Sequence, residues 1–92
     1  MTKKELTLLR VTGLNAALYL KWQATLEKED NLLESGERYG ILRTVYLLSP
    51  TEYTRICAFV DKHFPVKYRI YGDDYYEIAD SLQEDYFKQY KL

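Results

Sequence analysis

Apolar residues recur along this chain at two spacings, and the spacing divides it into elements. Leu14, Ala17, Leu18, Trp22 and Leu26 form one stripe at helical offsets, with Lys21, Gln23, Glu27, Lys28 and Glu29 mostly off it. This predicts a helix over 15–33, with Asn15 as N-cap and Ser35-Gly36-Glu37 as the stop. Tyr39–Leu48, YGILRTVYLL, carries Val, Ile, Leu and Tyr on both parities, the pattern of a central strand covered on both faces. Val66–Tyr71 alternates, with Val66, Tyr68 and Ile70 on one face and Lys67, Arg69 and Tyr71 on the other, which predicts a half-buried strand. Residues 3–12 fit either period; the β-compatible run TLLRVT, closed by Gly13, tips the reading to a strand.

Boundary signals fill in the rest. Ser49-Pro50-Thr51-Glu52 is a helix start: Ser49 can cap, Pro50 suits the first helical position, and Glu52 completes a capping box. That helix should run to about His63, before Pro65, with Tyr53, Ile56, Cys57, Val60 and Phe64 inward and Arg55 and Lys62 outward. Gly72-Asp73-Asp74 is turn chemistry. Tyr75–Ala79 would return as a second strand, so that Arg69 or Lys67 pairs with Glu77 across a hairpin. Ser81 and Glu84 make a second capping box, opening a terminal helix from Leu82 to about Tyr90 with Leu82, Tyr86, and Phe87 or Tyr90 inward; the inward Tyr76, Ile78, Leu82 and Phe87 would anchor the whole stretch. A single helix from Asp74 to Tyr90 competes with this, because Tyr75, Ile78, Ala79, Leu82, Tyr86 and Tyr90 also keep helical period. The sum is one α+β domain over residues 1–92, a three- to four-stranded sheet packed with two or three helices in the order β-α-β-α-β-β-α, its first strand the least marked.

Composition adds one unusual feature: ten of the 92 residues are Tyr, against three Phe and one Trp. Phenols pair an apolar body with a polar tip, and rigid Tyr-rich surfaces make good contact faces at low entropy cost. Net charge is −1, but its distribution is uneven: residues 1–37 carry −1, 38–69 carry +4 and 70–92 carry −4. Cys57 is the only cysteine, so no internal disulfide forms, and a reducing, cytoplasmic compartment is expected. No apolar run approaches the ~20 residues of a membrane span.

Several chemistries fit poorly. One Cys and one His do not make a zinc site, and the acidic run Asp73, Asp74 and Glu77 lacks the spacing of a calcium loop, so neither metal nor cofactor is expected. Cys57 and His63 lie six apart on one predicted helix, roughly 240° around it, too far for a nucleophile and its base. The glycines at 13, 36, 40 and 72 are isolated, so there is no phosphate cradle. The chain reads as non-enzymatic.

Binding is the remaining class. Tyr71–Tyr90 interleaves Asp73, Asp74, Glu77, Asp80, Glu84 and Asp85 with Tyr71, Tyr75, Tyr76 and Tyr86. Carboxylates in a row imitate phosphates and engage Arg and Lys of a basic partner protein, while Tyr rings stack on guanidinium planes. In this character (short, single-domain, rich in Tyr and acids, no enzyme motif) the chain resembles small phage-encoded inhibitors of host machinery such as anti-CRISPR proteins. That resemblance implies binding to a host effector so as to block its nucleic-acid site. The alternative is a small nucleic-acid-binding regulator using Arg38, Arg43, Arg55, Lys67 and Arg69 with neighbouring Tyr39, Tyr46 and Tyr68. Gly13–Leu18 resembles the first long helix of winged-helix domains in phage and plasmid replication proteins, but no basic recognition helix follows Ser49–His63, and Asp73-Asp74 at the supposed wing tip would repel phosphate. An exposed strand edge would also support a homodimer.

Overall fold

The computed structural model describes residues 1–25, 32–67 and 75–91, with backbone alone at residues 25, 32, 33, 65–67 and 75. It corrects the α+β expectation: the described residues form four helices, α1 (Lys3–Thr25), α2 (Leu32–Leu48), α3 (Pro50–Lys67) and α4 (Tyr75–Gln89), and contain no strand. The architecture is all-α. Helix α1 is the hub, packing against each of the other three, and α2 also packs on α3.

The segment 3–12, read as a strand, is the first half of α1. Its start is a capping arrangement at Thr2 and Glu5: Glu5 N donates to Thr2 Oγ1 at 3.1 Å, and the Thr2 hydroxyl donates to Glu5 Oε1 at 2.9 Å. Asn15 is therefore no N-cap; it lies mid-helix, where its Oδ1 accepts a bond from Gln83 Nε2 of α4 at 2.9 Å. Gly13 does not stop α1, because it is where the neighbouring helices come closest. A Cβ there would lie 2.9 Å from Ile56 Cδ1 of α3 and 3.3 Å from Val45 Cγ2 of α2. The Gly13 gap lets three helices meet over Leu14, Leu18, Val45, Ile56 and Val60, all at most 1% exposed.

Tyr39–Leu48 is a helix as well. Leu42 and Val45 turn into the core, while Tyr39, Tyr46, Leu47 and Leu48 are exposed. Apolar groups occupy both parities because this helix carries them on two faces, and that imitates a doubly covered strand. Ser49 alone separates α2 from α3. Its backbone N donates to Val45 O, and its Oγ accepts from Glu52 N at 3.3 Å. Pro50, lacking an N–H, suits the first position of α3. Helix α3 does not stop before Pro65 but continues to Lys67. Its predicted inner face is in place at Ile56, Val60 and Phe64, with Tyr53 and Cys57 half-buried, and Phe59 joins the core.

The hairpin reading is likewise overturned for the part described: Tyr75–Ala79 opens α4 rather than a strand, so the single-helix alternative describes this region. The Ser81–Glu84 box is interior to it. Ala79, Leu82 and Tyr86 form its buried side. Tyr76, expected inward, is 76% exposed. The expected Gly72–Asp74 turn, the strand over 68–71 and any pairing by Arg69 lie outside the described residues, and Lys67 is described by its backbone alone.

Candidate functional site

Helix α4 divides the acidic, Tyr-rich stretch between two sides with different chemistry. On the inner side Tyr86, named above as a contact residue, is fully buried. Its ring meets Phe59 edge-on at 5.2 Å between centroids and Tyr90 at 4.9 Å. Its hydroxyl donates to Glu52 Oε2 at 2.7 Å. Arg10 holds the same carboxylate from α1, donating Nε to Oε2 at 3.1 Å and Nη2 to Oε1 at 2.8 Å, a bidentate fork. Arg10 Nη1 reaches the backbone oxygen of Tyr90, and its Cζ lies 5.4 Å from the Tyr86 ring centroid. Three helices thus meet at one buried ion pair and one phenol.

The electrostatics follow from the partners. Burial pushes the Glu52 carboxyl up, but the hydrogen bonds from Arg10 and Tyr86 and the charges of Arg10 and Arg55 outweigh it and hold its pKa below the ordinary value. Burial and the bond to the Glu52 carboxylate push the Tyr86 phenol well above its usual range. Every oxygen of Glu52 is engaged by Arg10 or Tyr86, so the cluster fits a structural clamp rather than acid–base work. Glu52 also departs from its expected role, since its side chain turns to Arg10 and Tyr86, and the capping box is formed from the Ser49 side.

On the outer side Glu77, Asp80 and Glu84 are exposed. At 3.6 residues per turn they fall within an arc of about 60°, opposite Tyr86. Glu84 pairs with Lys88 at 3.2 Å, but both side chains are about 70% exposed, and such a pair contributes little. Asp85 is half-buried at the edge of this face and engaged within the chain. Tyr76 sits beside Glu77 at the start of the helix. Tyr75 opens α4 as backbone alone, and Tyr71, Asp73 and Asp74 lie outside the described residues.

Two of the bases proposed for nucleic-acid contact are held within the chain. Arg38 donates twice to Glu34 Oε1, at 3.1 and 2.7 Å, and lies 4.9 Å from the Tyr19 ring centroid. Arg55 lies 5.0 Å from the Tyr90 ring and 3.8 Å from Glu52 Oε1. Arg43 is exposed on the outward side of α2, with no carboxylate or ring partner among the described residues. Arg69 is outside the described residues.

Cys57 is half-buried; burial pushes its thiol up despite a hydrogen bond with Tyr53, which disfavours the thiolate. Among the described residues no group of three or more His, Cys, Asp or Glu is placed to hold a metal ion, and no helix is long and apolar enough to cross a membrane. A scan against protein-family models found no matching family, and searches of curated proteins and of solved structures found no match.

Sequence reasoning missed Arg10 and Glu52. The signal was there in one respect: Arg10 shares helical spacing with Leu6, Leu9, Gly13, Leu14 and Ala17. A cation on an apolar stripe needs a buried carboxylate. Reading 3–12 as a strand hid that stripe.

Proposed function

We propose that this protein is a non-catalytic, cytoplasmic interaction module that offers the outer side of α4 to a basic, nucleic-acid-binding surface of another protein and blocks it. The observation that carries this reading is the alignment of Glu77, Asp80 and Glu84 on one exposed side of a single helix. They supply roughly one carboxylate per 5 Å of helix axis, of the same order as the one phosphate per ~3.4 Å of a DNA strand. Tyr76, 76% exposed, adds a ring at the same end for stacking on guanidinium groups. Compared with the sequence reading, the contact set is smaller: Tyr86 belongs to the core.

Arg38 and Arg55, two of the bases for direct nucleic-acid binding, are engaged by carboxylates and rings of their own chain. Affinity capture from a lysate at low salt tests the proposal. The parent should retain a nucleic-acid-binding protein, released as ionic strength rises, and the Glu77→Lys/Asp80→Lys/Glu84→Lys variant should not. Equal capture by the variant would overturn the reading.

A further inference from the structure

The outward side of α2 mixes exposed Glu37, Arg43 and Thr44 with large apolar groups, where a surface helix normally shows polar ones. Tyr39 is 64% exposed, Tyr46 51% and Leu47 68%, with Leu48 at 59% along one edge. Gly36 and Gly40 run down the same side, and a Cβ at either would meet nothing within 4 Å. Packing inside the chain accounts for Gly13 but not for these two, although glycine is the least helix-favouring residue after proline. Arg43 projects from the middle of this face. Arg10, Arg38 and Arg55 each have both a carboxylate partner and an aromatic ring; Arg43 has neither among the described residues.

We infer that this face is the contact between two copies of the chain, with the α2 helices packed antiparallel. The face is complementary to its own reverse. With the two-fold axis level with the bond between Ile41 and Leu42, Leu47 of each copy stands opposite Gly36 of the other, and Arg43 opposite Gly40. The bare backbone at each glycine accepts the side chain facing it. Arg43 then reaches the other copy's Tyr39, one residue from Gly40, and gains the ring contact that the other described arginines find within the chain. A parallel arrangement would set Arg43 level with Arg43; in the antiparallel one the two are offset by about 4.5 Å along the axis and reach toward Tyr39 rings about 7.5 Å apart. Reciprocal pairing of this kind is what a two-fold interface requires. The contact does not involve α4, so it stands or falls separately from the acidic-side reading.

Sedimentation velocity on the full chain, from about 1 μM to about 1 mM, should show a concentration-dependent dimer. Leu47→Glu, which places a charge in the contact, should raise the dissociation constant about tenfold or more with far-ultraviolet circular dichroism unchanged. In a Cys57→Ser background Gly40→Cys should cross-link on oxidation. Gly36→Cys should not, because antiparallel packing separates its two copies by about 16 Å along the axis, against the ~4.4–6.8 Å between Cα atoms of a disulfide. A monomer throughout the range, a Leu47→Glu dimer as tight as the parent's, or cross-linking at Gly36→Cys rather than Gly40→Cys would each overturn the inference.

Discussion

Tyr86 donates its hydroxyl proton to Glu52 Oε2 at 2.7 Å, joining α4 to α3 at the carboxylate that Arg10 already holds from α1. The bond makes a residue of the acidic, Tyr-rich stretch part of the core, and it fixes which side of α4 faces outward. Glu77, Asp80 and Glu84 are in a row outside because Ala79, Leu82 and Tyr86 are in a row inside.

Removing either partner of this clamp should be costly in a graded way. Glu52→Ala leaves Arg10 buried without its carboxylate and should destabilise by about 3–5 kcal/mol. Tyr86→Phe removes one bond to a charged group and should cost about 1.5–3 kcal/mol. Replacing all three by apolar residues (Arg10→Met, Glu52→Leu and Tyr86→Phe together) should recover much of the Glu52→Ala loss, because no buried charge remains. Urea unfolding measures each; simple additivity of the single costs would contradict a coupled cluster.

The same groups set the pH limits of stability. The folded pKa of Glu52 is lowered, so the native state binds fewer protons than the unfolded chain, and stability falls as pH drops below about 4.5, the ordinary value, toward the folded one. The folded pKa of Tyr86 is raised, so its contribution is complete below pH 10.0 and declines as pH rises above it. Thermal melts across both ranges should show the two limbs, and Tyr86→Phe should flatten the alkaline one. An unchanged alkaline limb in that variant would contradict the assignment.

Alanine at the helical glycines should act with opposite signs. Gly36→Ala and Gly40→Ala add a Cβ in open space and should each stabilise the monomer by about 0.5–1 kcal/mol through helix propensity. Gly13→Ala puts a Cβ 2.9 Å from Ile56 Cδ1, and Ile56 is fully buried. Overpacking of about 1–3 kcal/mol should outweigh the propensity gain. Denaturation at high dilution separates them, and a Gly13→Ala chain as stable as Gly36→Ala would refute the close approach of α1, α2 and α3.

The boundaries most legible in the sequence were those written in local chemistry. Ser49-Pro50 marks the start of α3, and Ile56, Val60 and Phe64 keep helical period and are buried. The Thr2–Glu5 pair had the same three-residue spacing as the Ser49–Glu52 box and would have placed the start of α1. The fold class was not legible because two features of this chain contradict ordinary helix patterning. Helix α2 carries exposed Tyr39, Tyr46, Leu47 and Leu48 in addition to its buried side, which erases the helical period. Helix α1 runs through Gly13, whose reason for being glycine lies in Val45 and Ile56, far away in sequence. For the candidate site, the carboxylates were legible by type alone. Which phenols stand with them was not, since Tyr76, expected inward, is exposed, and Tyr86, expected on the inner face and also as a contact residue, is wholly in the core.

If the outer side of α4 occupies a nucleic-acid-binding surface, this protein and nucleic acid compete for the partner. A labelled oligonucleotide bound to the captured partner, followed by fluorescence anisotropy, should be displaced as this protein is added. The displacement should weaken with salt and vanish for Glu77→Lys/Asp80→Lys/Glu84→Lys. Simultaneous binding of oligonucleotide and protein, or undiminished displacement by the charge-reversed variant, would contradict the account.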